Sequence, residues 1–141
     1  MIVRPATAAD ALDVLAWRND PVTRAMSRSR EAVDEAAHMA WFERALADPK
    51  VTLLIGEEGG TKLGMVRFDH LQATEVSINV NPACRGQGRG QALLAAALAQ
   101  VSGEVVADVL EDNLASRRLF ERAGFVLSGA HAGLRRYVRP G

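Results

Sequence analysis

Residues 80–91, VNPACRGQGRGQ, decide the fold, because this segment joins a predicted strand to the strongest predicted helix of the chain. Its glycines occupy alternate positions: Gly86, Gly88 and Gly90. Glycine permits backbone conformations with φ > 0, so successive N–H groups of the loop can face one point. The start of the following helix adds unpaired donors and a partial positive charge. The segment is therefore predicted to bind phosphate oxygens, with Arg85 and Arg89 adding charge-assisted hydrogen bonds.

Strand and helix periodicities flank this loop. Residues 76–80, VSINV, alternate between apolar and polar and predict a half-buried strand. After the loop, a helix is predicted over Gly88–Val101, with a single apolar stripe. The residues of the stripe are Leu93, Leu94, Ala97, Leu98 and Val101. Two other phosphate loops do not fit, because a dinucleotide fingerprint needs Gly or Ala at Gln91 and a P-loop needs Gly-Lys-Ser/Thr.

The sequence after this helix predicts a strand, a helix and two closing strands. Val105–Leu110 has the apolar character of a strand, and Asn113 is the expected N-cap of a helix that runs to Ala123. Gly124 takes the left-handed position that commonly follows a helix. The closing strands are predicted at Phe125–Leu127 and Arg136–Val138.

Two helices are predicted in the first half of the chain. The first follows Thr7 and ends at residues 19–21, NDP. Its apolar face is formed by Leu12, Leu15 and Ala16, with Trp17 beside it. The second helix covers Val33–Ala47, where residues recur at spacings of three and four. The stripe predicted for it consists of Ala37, Ala40, Trp41, Arg44 and Ala45.

The remaining strands place the chain in the α/β class. Residues 2–3 begin the sheet, and strands at Val51–Ile55 and Leu63–Phe68 are joined by a hairpin turn at Gly59-Gly60. The element order is β-α-α-β-β-β-α-β-α-β-β. Strands joined by short turns are expected to be antiparallel, and strand–helix–strand units parallel. The prediction is a single domain, residues 1–141, with a mixed, mostly antiparallel sheet flanked by helices.

Composition and charge exclude several classes of protein. Seventeen basic and seventeen acidic residues cancel, which argues against a nucleic-acid-binding protein. Cys84 is the only cysteine, so no internal disulfide is expected, and the histidines lack cysteine companions for a metal site. No signal peptide is evident, and the most apolar run, Ala92–Ala99, has about half the length of a membrane span. We therefore expect a soluble cytoplasmic protein without metal, membrane or nucleic-acid partners.

Two motifs resemble those of the GNAT acetyltransferases. Arg85-x-x-Gly88-x-Gly90 resembles the pyrophosphate loop of that family, which also lies between a strand and a helix. Residues 109–125, VLEDNLASRRLFERAGF, resemble the later motif, in which an Asn follows a strand and the helix ends in Gly-Phe. The resemblance implies a GNAT-like fold with acetyl-CoA as co-substrate. The coenzyme-binding residues that it implies are Ile78, Asn79, Val80, Arg85, Gly86, Gln87, Gly88, Arg89, Gly90, Asn113, Ser116 and Phe120.

Acetyl transfer, given this resemblance, needs an oxyanion donor and a base. The coenzyme is expected between the strand that ends at Val80 and the strand at Val105–Leu110. A backbone N–H near Ile78 or Asn79 is the candidate donor for the developing oxyanion of the thioester. The amine acceptor must lose a proton before or during attack. The candidate bases are Glu75, at the start of the coenzyme strand, and Glu111, at the end of the next strand.

The proton donor to the departing thiolate is a point of difference from the family. Many GNAT enzymes have a Tyr where this sequence has Phe120, which has no proton to give. Either another group is the acid, with Tyr137 and Cys84 as candidates, or the thiolate leaves unaided. Loss of a proton donor slows a reaction by about 10²–10⁴-fold without abolishing it.

Three segments of the first half resemble the nucleotide-aminosugar N-acetyltransferases of the pseudaminic-acid pathway. They are WRNDPVTR at 17–24, HMAWF at 38–42 and GMVRFD at 64–69. The resemblance implies that the acceptor is the amino group of a UDP-linked deoxysugar. The predicted substrate-binding residues are Arg18, His38 and Arg67. Arginines near the end of the first helix would bind a diphosphate bidentately: Arg18, Arg24, Arg28 and Arg30.

Other acceptors and roles stay open. The WRND sequence also resembles the ribosomal-protein acetyltransferases, so a protein N-terminus is an alternative acceptor. The phenylalanine at 120 also fits an acyl-CoA-binding module without turnover, and a structural protein with a glycine turn would bind no coenzyme. The chain ends soon after Tyr137, which is short for the aminosugar group. A second subunit is expected to complete this edge, so a homodimer is predicted.

Overall fold

The computed structural model describes residues 1–27 and 31–141, and within them it has seven strands and five α-helices. The strands are β1 (Ile2–Pro5), β2 (Val51–Glu58), β3 (Thr61–His70), β4 (Thr74–Val80), β5 (Val105–Leu110), β6 (Val126–His131) and β7 (Leu134–Arg139). The helices are α1 (Ala11–Arg18), α2 (Pro21–Ala25), α3 (Glu35–Ala47), α4 (Arg89–Leu98) and α5 (Leu114–Arg122). No helix among the described residues is long and apolar enough to cross a membrane.

The seven strands form one sheet in the order β1-β2-β3-β4-β5-β7-β6. Every neighbouring pair is antiparallel except β4 and β5. The predicted α/β fold with a mixed, mostly antiparallel sheet is therefore confirmed, as is the parallel arrangement of β4 and β5. The strands of the second strand–helix–strand unit, β5 and β6, also run in the same direction as predicted, but they are not neighbours, because β7 lies between them and is antiparallel to both.

The sheet opens between β4 and β5. Thr74 faces Val105 and Glu75 faces Val106, and the pairing ends there. β4 stays paired with β3 along its whole length, so β5 is the strand that diverges. A gap therefore widens toward the carboxyl ends of both strands, where Val80 and Leu110 lie.

One face of the sheet, here called the α4/α5 face, packs against α4 and α5. Its buried side chains come from alternate strand positions, among them Leu54, Val66 and Tyr137. The predicted stripe of the helix after the glycine loop is confirmed at its buried positions: Leu93, Leu94, Ala97 and Leu98. Burial of each large apolar side chain contributes roughly 1.5–3 kcal/mol. The helix is therefore fixed on the sheet, and its N-terminus is held beside the end of β4.

The opposite face, here called the α1/α3 face, packs against α1, but the predicted apolar face of this helix was wrong. The buried residues of α1 are Ala11, Val14 and Trp17. Leu12, which was placed on the core side, is 59% exposed. The leucines suggested a stripe one residue away from the real one, because hydrophobicity alone does not show that small Ala11 contacts the core.

The predicted stripe of α3 was confirmed at Ala45, but its other positions were wrong by about one residue. α3 buries His38, Phe42 and Ala45, whereas Ala37 and Ala40 are exposed. The cause is His38, whose ring is fully buried and hydrogen-bonded inside the protein. A polar ring whose nitrogens are both hydrogen-bonded can occupy a core position. A stripe drawn through apolar residues alone assigns that core position to a neighbouring residue instead.

α2 is a short helix in a segment for which the sequence predicted only the end of the first helix. Asp20 caps it by accepting hydrogen bonds from the backbone N–H groups of Val22 and Thr23, both at 3.1 Å. Pro21 occupies the first helical position, where a missing N–H has no cost. The same Asn-Asp-Pro sequence thus ends one helix and begins another. Arg28 and Arg30, two of the predicted diphosphate ligands, lie outside the described residues.

Asp10 is a buried carboxylate that joins β1, β3 and the segment before α1. Its side chain is 1% exposed and accepts two hydrogen bonds from Arg4, both at 2.8 Å, and one from the Thr7 backbone. The ammonium of Lys62 lies 2.7 Å from Asp10 Oδ1, the oxygen that also accepts a hydrogen bond from Arg4 Nη2. The sequence indicated only an acidic residue in a first helical turn, and its role as the centre of an ion network was missed.

Candidate active site

Three pockets meet at the gap between β4 and β5, and Ile78 lines all of them. The glycine groove, of about 550 Å³, runs between residues 85–91 and α5. The gap pocket, of about 340 Å³, lies between β4 and β5. The arginine pocket, also about 340 Å³, lies on the α1/α3 face around Trp41. Ile78 is thus the point at which molecules in the three pockets would come together.

The backbone N–H of Ile78 points into the gap. Asn81 N–H donates to the Leu63 carbonyl, which fixes the pairs of the β3–β4 ladder that are hydrogen-bonded. Such pairs alternate along an antiparallel ladder, so the backbone groups of Asn79 point to β3, and those of Ile78 and Val80 point to the gap. Of the two predicted oxyanion donors, the structure brings Ile78 to the gap and directs Asn79 away.

The glycines shape the groove in two ways. Gly86 and Gly88 have φ of 75° and 71°, a left-handed conformation that favours glycine. Gly90 allows close packing instead, because a Cβ atom there would lie 3.0 Å from Val80 Cγ2. The loop therefore brings the start of α4, with its unpaired N–H donors, against the end of β4.

The two arginines of the loop are already paired with carboxylates. Arg85 donates to Asp20 Oδ2 at 2.8 Å and to Thr23 Oγ1 at 2.6 Å, and this contact lowers the pKa of Asp20. Arg89 forms an ion pair with Glu58. Both arginines line the glycine groove, so they would have to exchange these partners to bind a phosphate.

Gln87, predicted as a coenzyme contact, is not among the residues that line the glycine groove. Gln91, one turn into α4, lines it instead. The alternate spacing of the glycines explains the difference, since Gln87 stands between two left-handed residues and is exposed. The sequence pattern identified the loop but not the side of the loop on which each side chain lies.

The start of α5 forms the other wall of the groove. Asn113 Oδ1 accepts a hydrogen bond from the Ser116 backbone N–H at 3.1 Å, so the predicted N-cap is confirmed. Asn113 and Ser116 line both the groove and the gap pocket. Phe120 is 3% exposed, lines the gap pocket and packs edge-on against Phe125. Its ring offers no proton to a group in the gap.

Three carboxylates line the base of the gap pocket: Asp69, Glu75 and Asp108. They lie on β3, β4 and β5 at positions of the same parity, so all face the α1/α3 side. Asp69 accepts a hydrogen bond from Arg67 at 2.8 Å, and both oxygens of Asp108 accept from Arg136 at 2.9 Å. Glu75 lies 3.5 Å from Arg136 and is the carboxylate with the longest ion-pair contact.

Glu111, the rival base, lies away from the gap. Its side chain is 53% exposed and pairs with Arg135 of β7 at 2.5 Å, and it lines none of the three pockets. Its backbone N–H donates to the Gly133 carbonyl, which ties it to the β6–β7 turn. The prediction placed it at the end of β5, which is correct, but the inserted strand β7 draws its side chain to the other side.

Tyr137, the predicted acid, is also absent from the three pockets. It lies on β7, opposite Ala107 of β5, and is fully buried in the core of the α4/α5 face. Its hydroxyl accepts a hydrogen bond from Arg117 Nε at 3.1 Å and donates to Glu121 at 2.9 Å. Both partners are on α5, so this hydroxyl fixes a helix on the sheet. Cys84 is buried as well and lines none of the pockets.

Two guanidinium groups contact the Trp41 ring in the arginine pocket. The Arg18 carbon Cζ is 4.7 Å from the ring centroid and that of Arg67 is 5.4 Å away, which are cation–π distances. Burial, and next the Arg67 cation, lower the pKa of Arg18. Arg67 is paired with Asp69, whereas Arg18 has no carboxylate partner within residues 1–27 and 31–141. Glu31, the remaining charged residue of the pocket, is exposed.

His38, the third predicted substrate contact, is fully buried and does not line the pocket. It lies behind Arg18, with Nδ1 at 2.9 Å from Arg18 Nη1. The structure therefore brings Arg18 and Arg67 together and places His38 one layer deeper. Arg24, on α2, lines none of the three pockets.

The sequence interpretation missed the polar row on the α1/α3 face. Asp69, Ser77 and Asp108 line the gap pocket beside Glu75. The alternation of VSINV shows that Ser77 and Asn79 share a face. It does not show that Asp69 and Asp108 join them, because that depends on the register with β3 and β5.

The sequence matches the model of the acetyltransferase (GNAT) family over residues 11–125. It is 33% identical over 139 residues to the L-methionine sulfoximine/L-methionine sulfone acetyltransferase of Pseudomonas aeruginosa, with 90% of this chain and 81% of the relative covered. YwnH of Bacillus subtilis, named as a candidate phosphinothricin acetyltransferase, is 27% identical over 146 residues, with 95% and 89% covered. The structure of YncA from Salmonella typhimurium, a candidate acetyltransferase with its cofactor acetyl-CoA, has a TM-score of 0.80 at 25% identity and covers 99% of this chain and 93% of that one.

Proposed function

Because the chain belongs to the GNAT family and is an N-acetyltransferase that uses acetyl-CoA, we propose that its acceptor is a small amine that also carries a carboxylate, such as an amino-acid analogue. The amine acceptor agrees with the activity of the family. The carboxylate is our addition, and it rests on the arginine pocket. The names of the Pseudomonas and Bacillus relatives, which refer to amino-acid analogues, support the same choice.

One observation carries the proposal. Arg18 is half-buried and has no carboxylate partner among the described residues, and a second guanidinium, Arg67, lies on the same tryptophan ring. A half-buried cation whose charge is not balanced by a carboxylate is costly, so an anion that enters the pocket is favoured. Planar guanidinium groups bind carboxylates in two-point contacts.

The coenzyme is proposed to lie along β4 in the gap. Its amide-rich arm would pair with the backbone groups of Ile78 and Val80 as an added strand. Its pyrophosphate would take the N–H donors of residues 86–90, with Arg85 and Arg89 closing over it, and Asn113 and Ser116 would line the opposite wall. In this position the thioester oxygen lies near the N–H of Ile78, which stabilises the tetrahedral oxyanion.

Glu75 is proposed as the base. At about 3.3 Å per strand residue, it lies roughly 10 Å from Ile78, so it would act through a bound water. The neutral amine nitrogen attacks the thioester carbon, its proton passes by way of water to Glu75, and the C–S bond breaks to release the CoA thiolate. Phe120 gives no proton, and a thiol is acidic enough, with a pKa of about 8.5, for the thiolate to leave unaided.

The acceptor is tested by acetyl-CoA-dependent thiol release with four amines in parallel. They are L-methionine sulfoximine, phosphinothricin, a UDP-4-amino-deoxysugar and an N-terminal ribosomal peptide. Turnover with either amino-acid analogue supports the proposal. Turnover with the nucleotide sugar alone supports the competing acceptor predicted from the sequence, and turnover with the peptide alone supports the ribosomal alternative. Coenzyme binding without any turnover identifies a binding module.

Arg18→Gln is expected to raise the KM for the amino-acid analogue by about 10–100-fold, because a charge-assisted hydrogen bond is worth roughly 1.5–3 kcal/mol. The KM for acetyl-CoA should change less than twofold. Arg44→Gln is the matched control, since Arg44 is exposed on α3 and lines none of the pockets. An unchanged acceptor KM in Arg18→Gln would contradict the role of the arginine pocket.

A further inference from the structure

His38 is a fully buried polar side chain that the proposed chemistry does not use. It lies on α3, and its ring packs against both Trp41 and Phe42, at centroid distances of 5.6 and 5.7 Å. Both of its nitrogens are engaged, one by a backbone carbonyl and one by a guanidinium. A polar ring is costly to bury, yet this one lies directly behind Arg18 in the wall of the arginine pocket.

The two contacts fix the protonation of the ring. Nε2 lies 2.7 Å from the Ala11 carbonyl oxygen, which can only accept, so Nε2 carries the hydrogen. Nδ1 lies 2.9 Å from Arg18 Nη1, which can only donate, so Nδ1 presents its lone pair. The ring is therefore neutral, in one tautomer. Burial lowers the pKa of His38, and the Arg18 cation lowers it further, against the opposing contact with Ala11.

This geometry leaves Arg18 with little freedom. One of its terminal nitrogens is held by His38, and its guanidinium carbon lies over the Trp41 ring, 4.7 Å from the centroid. His38 is in turn held by the backbone of Ala11, on the same helix as Arg18. A guanidinium that is held in place before binding loses less conformational entropy when it binds an anion.

We propose that His38 is a positioning residue that sets Arg18 for the carboxylate of the acceptor. This inference rests on the proposed function, since it assumes that Arg18 binds an anionic group there. His38 acts only through Arg18, because it is 0% exposed and lines none of the three pockets. The lone pair on Nδ1 accepts the hydrogen bond that holds Arg18, and the hydrogen on Nε2 fixes the tautomer.

Two amide substitutions separate the two nitrogens. Asn at position 38 places an oxygen near Nδ1 and preserves an acceptor for Arg18, whereas Gln places its amide near Nε2 and preserves a donor to Ala11. We expect His38→Gln to raise the acceptor KM about tenfold or more, with kcat and the KM for acetyl-CoA within twofold of the wild type. His38→Asn should stay within about threefold. Equal effects of both changes on the acceptor KM would overturn the proposal.

A second pair of measurements separates positioning from a loss of stability. The acceptor is compared with the same amine lacking the carboxylate, and His38→Gln should impair only the carboxylate-bearing acceptor. A similar loss for both amines would mean that the variant has merely disturbed the fold. Urea unfolding of the two variants shows whether they are equally destabilised, and a difference in KM at equal stability supports positioning.

The state of the ring can be checked without any acceptor. Nitrogen-15 NMR of the imidazole in the wild-type protein should show a protonated Nε2 and an unprotonated Nδ1 at neutral pH. A protonated Nδ1 would overturn the inference even if amino-acid analogues are acetylated. If the tautomer is as expected and no carboxylate-bearing amine is turned over by the wild type, it is the proposed acceptor class that fails.

Discussion

Replacement of Glu75 by Gln should lower kcat by about 10²–10⁴-fold, the usual contribution of a proton-transfer group. Glu75 lines the gap pocket on the same strand as Ile78, whose N–H faces the proposed thioester site. Gln has nearly the same shape but cannot take the proton of the amine. The KM for acetyl-CoA should stay within about threefold, because the glycine groove does not include Glu75. Steady-state thiol release under saturating acceptor measures the effect.

Glu111→Gln is the matched control for this experiment. Glu111 has the same chemistry and lies on the neighbouring strand end, but it pairs with Arg135 outside the pockets. Its replacement should leave kcat within about twofold. A Glu75→Gln enzyme that keeps more than a tenth of the wild-type kcat would contradict our assignment. Asp69 and Asp108 would then be the next carboxylates to test, since they line the same pocket.

Replacement of Asp10 by Ala should lower the free energy of unfolding by about 3 kcal/mol, at the lower end of the range for breaking a buried ion pair. Asp10 is 1% exposed, whereas Arg4 and Lys62 are 29% and 26% exposed, so water partly compensates the two cations that remain. Urea denaturation measures the change. Asp13→Ala is the control, because Asp13 also pairs with Lys62 but is 54% exposed, and exposed pairs contribute about 0–1 kcal/mol.

Asp10 also predicts the direction of the pH dependence. Hydrogen bonds from Arg4, and further contacts with Lys62 and Thr7, lower the pKa of Asp10 below its ordinary 3.8, although burial opposes them. The unfolded chain therefore binds the proton first as the pH falls. The stabilisation is complete above pH 3.8 and is lost as the pH falls below it. Asp10→Asn should be less stable than wild type at pH 7 and should lose less stability over this acid range.

The structure of the proposed coenzyme half of the site could be predicted from sequence because its geometry is local. The loop from Arg85 to Gly90 and the cap at Asn113 are set by neighbours in the chain, and the structure shows both as expected. Gln87 is the exception. A run of left-handed glycines reverses the direction of the backbone, and a pattern cannot show on which side a side chain then lies.

The catalytic candidates were harder to predict because they depend on contacts between distant strands. Glu75 and Glu111 are both glutamates at strand ends, and only the sheet order separates them. The insertion of β7 beside β5 draws Glu111 to Arg135 and buries Tyr137 under α5. The predicted buried face of α3 was wrong for a related reason, since a histidine with two internal hydrogen bonds occupies a core position of this helix.

The two faces of the sheet carry different parts of the proposed site, and this division affects how substitutions can alter the activity. The helices α4 and α5 and the glycine loop come from the second half of the sequence, whereas Arg18, Trp41 and Arg67 of the arginine pocket come from the first half. The two halves meet at the backbone of Ile78, which no substitution alters chemically. We therefore expect substitutions at the first-half residues of the arginine pocket to change the preferred amine more readily than acetyl donation. We expect a graft of residues 1–70 from a relative to exchange the choice of acceptor only if it keeps Asp20, Thr23 and Glu58, which hold the two arginines of the glycine loop.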